Sequence, residues 1–432
     1  MNKNITRLLL GALSLAFPSL VSAADLVVGP GRTYVTISDA IAAAADGDRI
    51  LVKPKTALYA ESPVITKSLT ILSADEGQYF KCGGTWTFSP SAAGKVLTII
   101  GLHLVGGDVT SAANAPAGAR SQIRLLGSVL YGRLNFFWNN FDVTAAGDSV
   151  MGEVNLQYGK VMGNYISANG YSEAVEVGSD ATPSTDSVWV VGNRIHGGAA
   201  VASNSPAVRL NSATQYVFCT NNLLYIGQYN SSSYGYNTFG IYLSSTLNTG
   251  TGKNSIVNNT IYNYNQYGYG WYSGRYGILI NNAPDNLLVN NNLLLGATPS
   301  YSGNGIVQNA GSSLYSLSYN YLRGNYNINA VAASNGVGNK LNSNTTLASD
   351  GTPVAGADAI NGGAPDDEYL DADLTRNDAG CYGGSLSLAN FPAVGPTAAN
   401  NNNLGARVYF FQAPRVLMQG QPVKVKASGF DR

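Results

Sequence analysis

Two short hydrophobic patterns alternate through the middle of the chain. The first is an apolar strand that runs into an asparagine. It reads WNNF at Trp138, MGNYI at Met162, VGNRI at Val191, TNNLL at Thr220, VNNTI at Val257, VNNNL at Val289 and SYNYL at Ser318. The shared positions are Asn139, Asn164, Asn193, Asn222, Asn259, Asn291 and Asn320, which recur every 25 to 37 residues. The second pattern is a strand of alternating polarity: AVEVGS at Ala174, AVRLNS at Ala207, GIYLSS at Gly240, GILINN at Gly277 and GIVQNA at Gly305. Aligned, it gives one apolar column of Val175, Val208, Ile241, Ile278 and Ile306, and a second of Val177, Leu210, Leu243 and Ile280, broken by Gln308. A period of two puts both columns on one face of a sheet. Glu176, Arg209, Tyr242, Leu279 and Val307 then point the other way.

A unit of two or three such strands cannot bury its own apolar face, but copies stacked along an axis bury each other's. The pattern therefore predicts an all-β chain folded as a right-handed parallel β-helix. The recurring asparagines suit sharp corners, because Asn tolerates left-handed backbone, and stacked amides can hydrogen-bond from coil to coil. At the start, TYVTISDAIAAAADGDRILVKP (33–54) reads as strand, short helix, turn, strand. The helix is expected near residues 37–45, with Thr36 or Ser38 as N-cap and Asp46-Gly47 as its stop. It would cover the open end of the solenoid, and ESPVITKSLTILSA (61–74) would begin the first coils.

The stretch TYVTISDAIAAAADGDRILV…ESPVITKSLTILSA resembles the opening of pectin-lyase-like right-handed β-helix proteins, among them polysaccharide lyases, pectin esterases and NosD-like periplasmic proteins. Near the other end, DAINGGAPDDEYLDADLTRNDAGCYGG (358–384) is similar to a closing motif of secreted β-helix repeat proteins, which has Gly where Leu374 stands and Ala where Cys381 stands. The resemblance spans roughly residues 25–385. It implies a fold, and that fold carries enzymes, adhesins and structural proteins alike.

Around this core the chain divides into three parts. Residues 1–23 read as an export signal: Lys3 and Arg7, an apolar run over 8–20, then Val21-Ser22-Ala23 before the expected cleavage. The apolar run is too short to span a bilayer. Residues 24–394 form the β-helix with its N-terminal cap and closing motif. In 395–432, NNNN (400–403) reads as a linker, and ARVYFF (406–411) and QPVKVKASG (421–429) read as two strands. These resemble the opening strands of an Ig-like module and need a partner edge.

Composition narrows the function. Charged residues make up 12% of the chain, against about 25% in an average globular protein. The net charge is zero, so the chain lacks the basic footprint of a nucleic-acid binder. Cys82, Cys219 and Cys381 are an odd number and lie far apart, which is no disulfide scaffold. The expected setting is secreted or cell-surface, with polysaccharide or further copies of the chain as partner.

Candidate chemistry is sparse. NGYSEAVEVG (169–178) resembles the Asn-Gly-Gly-Glu motif of the alginate lyase and chondroitinase B family, with an extra residue before Glu173. That family's catalytic Lys-Ser pair finds its nearest place at Asn211-Ser212, which has no lysine, and its Arg-His-Gly is absent from the following coil. A glycosidase needs two facing carboxylates. Glu173 and Glu176 are the nearest pair, but odd spacing puts them on opposite faces of an ideal strand, which argues against a shared site unless the strand bulges. Glu176 shares a column with Arg209, which suits an ion pair that fixes register. Glu173, Glu176 and Arg209 are the catalytic candidates of an alternative reading, a polysaccharide lyase or glycoside hydrolase on a uronate-type polymer. His103 and His196 sit in no motif and are expected to be structural. The acidic run Asp366, Asp367, Glu368, Asp371, Asp373 and Asp378 offers oxygen ligands for Ca2+, with Asp371, Asp373 and Asp378 the named candidates. The plainer expectation there is a capping turn with Arg376 paired to an aspartate.

The tyrosines are the remaining excess. NYNQYGYGWYSGRYG (263–277) and YIGQYNSSSYGYNTF (225–239) fall between an Asn corner and the next alternating strand. Stacking would set them side by side on one flank. Tyr with Gly, Ser and Asn is the composition of adaptable recognition surfaces. The expected binding residues are Tyr229, Tyr234, Tyr236, Tyr242, Tyr267, Tyr269, Trp271, Tyr272, Arg275 and Tyr276. The sequence thus favours a non-catalytic β-helix that binds polysaccharide or assembles with itself through this flank.

Overall fold

A computed structural model describes residues 23–168, 170–181, 186–197, 204–226, 237–263, 275–296, 302–332, 336–391, 393–397, 407–412 and 426–430. Three all-parallel sheets of 12, 11 and 11 strands wind into a right-handed β-helix. Each coil passes from sheet A through a tight corner to sheet B and then to sheet C. One full coil, for example, runs through Gly159–Met162 (A), Tyr165–Ser167 (B) and Val175–Val177 (C), and Ser187–Val191 re-enters sheet A.

The alternating strands form sheet C in the expected register. Val175, Val208, Ile241, Ile278 and Ile306 are paired in order, as are Val177, Leu210, Leu243, Ile280 and Gln308. Sheet A supplies its own inward column, including Ile71, Ile99, Leu125, Val161, Val190, Cys219, Ile256 and Val289, all fully buried. One continuous core therefore runs the length of the solenoid. The three cysteines are buried and unbridged, and burial pushes the Cys219 and Cys381 thiols up to about 12.

The helix spans Ile37–Ala43 and turns Ile37, Ala40 and Ile41 onto the end of the core. Thr36 is the N-cap, accepting from the Asp39 amide at 3.0 Å. Ser38 lies inside the helix, and its amide and hydroxyl both donate to Glu61. At the other end Lys67 Nζ donates to the carbonyls of Ile41 and Ala42, both at 3.0 Å. A carboxylate at the N-terminus and an ammonium at the C-terminus are the placement a helix dipole favours.

The A-to-B corner uses two residues with different jobs. The first takes left-handed backbone: Gly163, Gly192, Asn221, Asn258, Asn291 and Tyr319 all have φ between 55° and 64°. The second carries the ladder. Asn193, Asn222, Asn259, Asn292, Asn320 and Asn339 each accept from the backbone and side-chain amides of the preceding rung, and Asn164 accepts from the Asp148 backbone amide. Ser128 and Asp148 extend it toward the N-terminus. This corrects two expected positions. Asn291 is the left-handed residue and Asn292 the rung. Asn139 belongs to the C-to-A corner, where its Oδ1 accepts from Ala181.

The C-terminal segment is more than a local turn. From Lys340, which pairs with Asn320 and Leu322, it runs back along the outside of the A-to-B corner as a strap. The left-handed asparagines hold it. Asn291 Oδ1 accepts from Ala364, Asn258 Nδ2 donates to Asn377 Oδ1 and the carbonyls of Asp378 and Gly380, and Asn221 Nδ2 donates to the carbonyls of Cys381 and Gly383. Further on, the Phe391 ring lies over Gly192 and Gly163, where a Cβ would sit 2.2 Å and 2.8 Å from it. Glycine is required there for two reasons, backbone and space. Arg376 donates to the Gly363 carbonyl at 2.8 Å and lies over the Tyr319 ring, in place of the expected aspartate pair. Asn258→Gly keeps the left-handed corner and removes the strap's central anchor. Trypsin is expected to cut this variant after Arg376 under conditions that leave the parent intact, and equal resistance would refute the anchoring role.

Past the linker, Arg407–Gln412 and Lys426–Phe430 pair with each other as an antiparallel hairpin. Their partner edge is thus each other.

Candidate functional site

The outer face of sheet C gathers Glu173, Glu176, Arg209, Tyr242 and Tyr276. Its geometry starts from a column of small residues, Ala174, Ala207, Gly240, Gly277 and Gly305. A Cβ at Gly240 would lie 2.6 Å from Ile261, at Gly277 2.2 Å from Leu294, and at Gly305 2.4 Å from Leu322. This position therefore faces the core, as does the residue after it. In the first of these strands Ala174 and Val175 are both fully buried. Two consecutive inward residues break the alternation, so Glu173 and Glu176 emerge on the same side. The expectation that odd spacing separates them is corrected for this reason.

Both carboxylates meet Arg209 on the next coil. Arg209 Nε donates to Glu173 Oε1 at 2.8 Å, a second guanidinium nitrogen reaches the same oxygen, and Glu176 Oε1 lies 3.9 Å from Nε. Burial raises the proton affinity of Glu173, and Arg209 opposes the shift. Burial also raises that of Glu176, and repulsion from Glu173 adds to it. The Arg209 guanidinium sits 5.3 Å from the Tyr242 ring, and the Tyr242 hydroxyl accepts from Asn281 at 2.7 Å. Phe239 stacks against Tyr242 and Tyr276, each at 5.1 Å between ring centres and within 20° of parallel. Leu279 and Val307 continue this apolar satellite outside the solenoid wall. The result is a charged cluster across two coils beside an aromatic stack on the next two. Phe239 was not among the expected residues. Its signal is its place two positions before Ile241, in the column that holds Tyr276 one coil later.

The other candidates fare differently. Arg275 opens the strand Arg275–Ile280. Tyr229, Tyr234, Tyr236, Tyr267, Tyr269, Trp271 and Tyr272 lie outside the described residues. The acidic run does not converge. Asp371 accepts from the Asp378 and Gly384 amides, Asp373 from the Thr375 amide and hydroxyl, and Asp378 from the Asn361 amide. These carboxylates cap backbone turns. Among the described residues no group of three or more His, Cys, Asp or Glu side chains is placed to hold a metal ion. His103 packs between Tyr79 and Tyr131, and His196 between Tyr165 and Tyr225; burial lowers the proton affinity of both. Among the same residues, no helix is long and apolar enough to cross a membrane.

The fold and this surface define a parallel β-helix with a charged and aromatic outer flank. No family model matches the chain, and neither a curated protein nor a solved structure matches it.

Proposed function

We propose that this chain is an exported, pectin-lyase-like β-helix that holds a polysaccharide on the outer flank of sheet C. The observation that carries the reading is the pair of half-buried rings, Tyr242 and Tyr276, that stack on a buried Phe239 beside Arg209 and its two carboxylates. Aromatic faces receive the C–H faces of sugar rings, and a guanidinium with carboxylates beside it supplies partners for hydroxyls or a uronate carboxylate. Each Tyr-rich stretch leads in sequence into a strand of this flank. The first joins Leu223–Ile226 to Asn237–Leu243, and the second joins Thr260–Asn263 to Arg275–Ile280.

A second reading, cleavage of a uronate polymer, draws support from the convergence of Glu173 and Glu176, two carboxyls of raised proton affinity. One experiment addresses both. Purified protein is titrated calorimetrically with hexamers of galacturonate, mannuronate and guluronate and with cellohexaose. At least one should bind, and Tyr242→Ala or Arg209→Gln should weaken it tenfold or more, about 1.4 kcal/mol. New ultraviolet absorbance from unsaturated ends, lost in Glu176→Gln, would instead assign a lyase. Absence of binding and of cleavage, with self-association abolished by Tyr269→Ala/Trp271→Ala, would replace the glycan with a second copy of the chain.

A further inference from the structure

The outer face of sheet A carries a different surface. Its outward column reads Lys160, Trp189, Phe218, Ser255, Leu288 and Ser316 in register. The Trp189 and Phe218 rings stack at 4.4 Å with only 10° between their planes. On the next coil the column holds Ser255, whose side chain is too short to continue the stack. Leu288 resumes an apolar surface one coil later. At the spacing of parallel strands, Phe218 and Leu288 stand about 9–10 Å apart, with Ser255 as the floor between them. That leaves a slot one ring thick, since carbon surfaces pack at about 3.5–4 Å.

The strap turns this slot into a cavity of about 400 Å³, with Glu368, Tyr369 and Leu386 among the residues along one side. Lys253 and Thr220 also line it. Phe218 and Leu288 give the slot two apolar walls, and the lining adds the Lys253 ammonium, which lies over the Tyr315 ring, the Glu368 carboxylate and the Thr220 hydroxyl. A pyranose has the matching distribution, with C–H groups on its faces and hydroxyls around its edge. Its chair is also thicker than a planar base, which would sit loosely in a slot of this width.

We propose that this slot binds one pyranose residue of a glycan chain, at a site separate from the flank of sheet C. The stacked pair would present the Phe218 face to one side of the sugar and Leu288 to the other. Lys253 and Glu368 would take the hydroxyls at the rim. The strap is then part of a binding site as well as a fastening.

The test uses the full chain in a Tyr242→Ala/Arg209→Gln background, which removes the sheet C flank from the readout. Cellohexaose, xylohexaose and hexagalacturonate are titrated in turn, with adenosine as the planar competitor. Tryptophan fluorescence and heat are both followed. At least one sugar should bind saturably and change the fluorescence, and Trp189→Phe should remove the fluorescence change. Phe218→Ala should weaken binding at least tenfold. Ser255→Phe, which extends the aromatic stack into the slot, should abolish binding while leaving the circular dichroism and melting curve in place. Should Ser255→Phe not fold, Phe218→Ala carries the test. Absence of saturable sugar binding, preference for adenosine, or binding that survives both substitutions would overturn the proposal. Sugar binding confined to the chain with an intact sheet C flank would overturn it while supporting the reading above.

Discussion

Leucine in place of Asn222 should cost the fold roughly 3 kcal/mol or more. Asn222 Oδ1 accepts from Asn193 N at 3.1 Å and Asn193 Nδ2 at 2.9 Å, and its own Nδ2 donates to Val190 O at 2.8 Å and Asn259 Oδ1 at 3.0 Å. All three asparagines are fully buried. Leucine fills nearly the same volume, so little cavity forms. What it loses is a partner for several polar atoms that no water can reach, and each such atom costs about 1–3 kcal/mol. Guanidinium denaturation read by circular dichroism measures the loss. The companion Asn221→Gly keeps the corner's backbone and removes the two bonds to the strap and the one from the Thr220 hydroxyl, leaving the ladder intact, so it should move the midpoint much less. Equal midpoints for Asn222→Leu and the parent would dispose of the ladder as a stabilising device.

The opposite sign is expected at Asp148. This residue occupies a rung, and its Oδ1 accepts from Ser128 N at 2.7 Å. Among the described residues its Oδ2 has no hydrogen-bond partner, and burial drives the carboxyl well above the usual carboxylate range. A group with a raised folded pKa lends stability that is complete below its unfolded value near 4 and is lost as pH rises through the folded value. The parent should therefore lose stability as pH rises from about 4 toward neutrality. Asp148→Asn removes the charge and supplies an amide. Asn164 Nδ2 takes the Ala145 carbonyl and Asn193 Nδ2 the Val161 carbonyl; the equivalent acceptor for residue 148 is Leu125. The variant should be more stable at neutral pH by roughly 2–3 kcal/mol, and the gap should close toward pH 4. Melting curves from pH 4 to 8 test this. Glu173 and Glu176 also titrate upward in the fold, so the informative quantity is the difference between variant and parent. A difference that stays constant with pH would contradict the assignment.

The repeat is legible in the sequence because a period of two leaves little choice. Val175, Val208, Ile241, Ile278 and Ile306 could share a face only if their strands were in register, and they are. The ladder is legible as a composition but not residue by residue. In TNNLL, VNNTI and VNNNL two or three asparagines stand together, one taking the left-handed backbone and the next the rung. Nothing local tells Asn291 from Asn292. The carboxylate pair is misread because the alternation fails at Ala174 and Val175. The cause is a column of small residues packed against Ile261, Leu294 and Leu322, and those neighbours are visible only once the coils are stacked. The slot on sheet A is hidden for another reason. Trp189 and Phe218 stand in short strands whose register can be read, but one side of the slot comes from residues 368–386, well over a hundred positions later. No periodic pattern announces a segment that doubles back.

That doubling back changes how the molecule comes apart. A plain solenoid is held by contacts between adjacent coils, so it can fray from an end one coil at a time. Here the strap ties the corner at Asn320 to the corners at Asn291, Asn258 and Asn221 and ends over Gly192 and Gly163. Each of those coils is linked to distant ones through a single covalent segment. None can open without loosening the fastening shared by the rest, so the C-terminal half should melt as one cooperative block. The coils before Asp148 lie outside the strap, and among the described residues their ties beyond adjacent coils are single side-chain contacts such as Arg120 to Asp180 and Lys95 to Asp46, so unfolding there should proceed in smaller units.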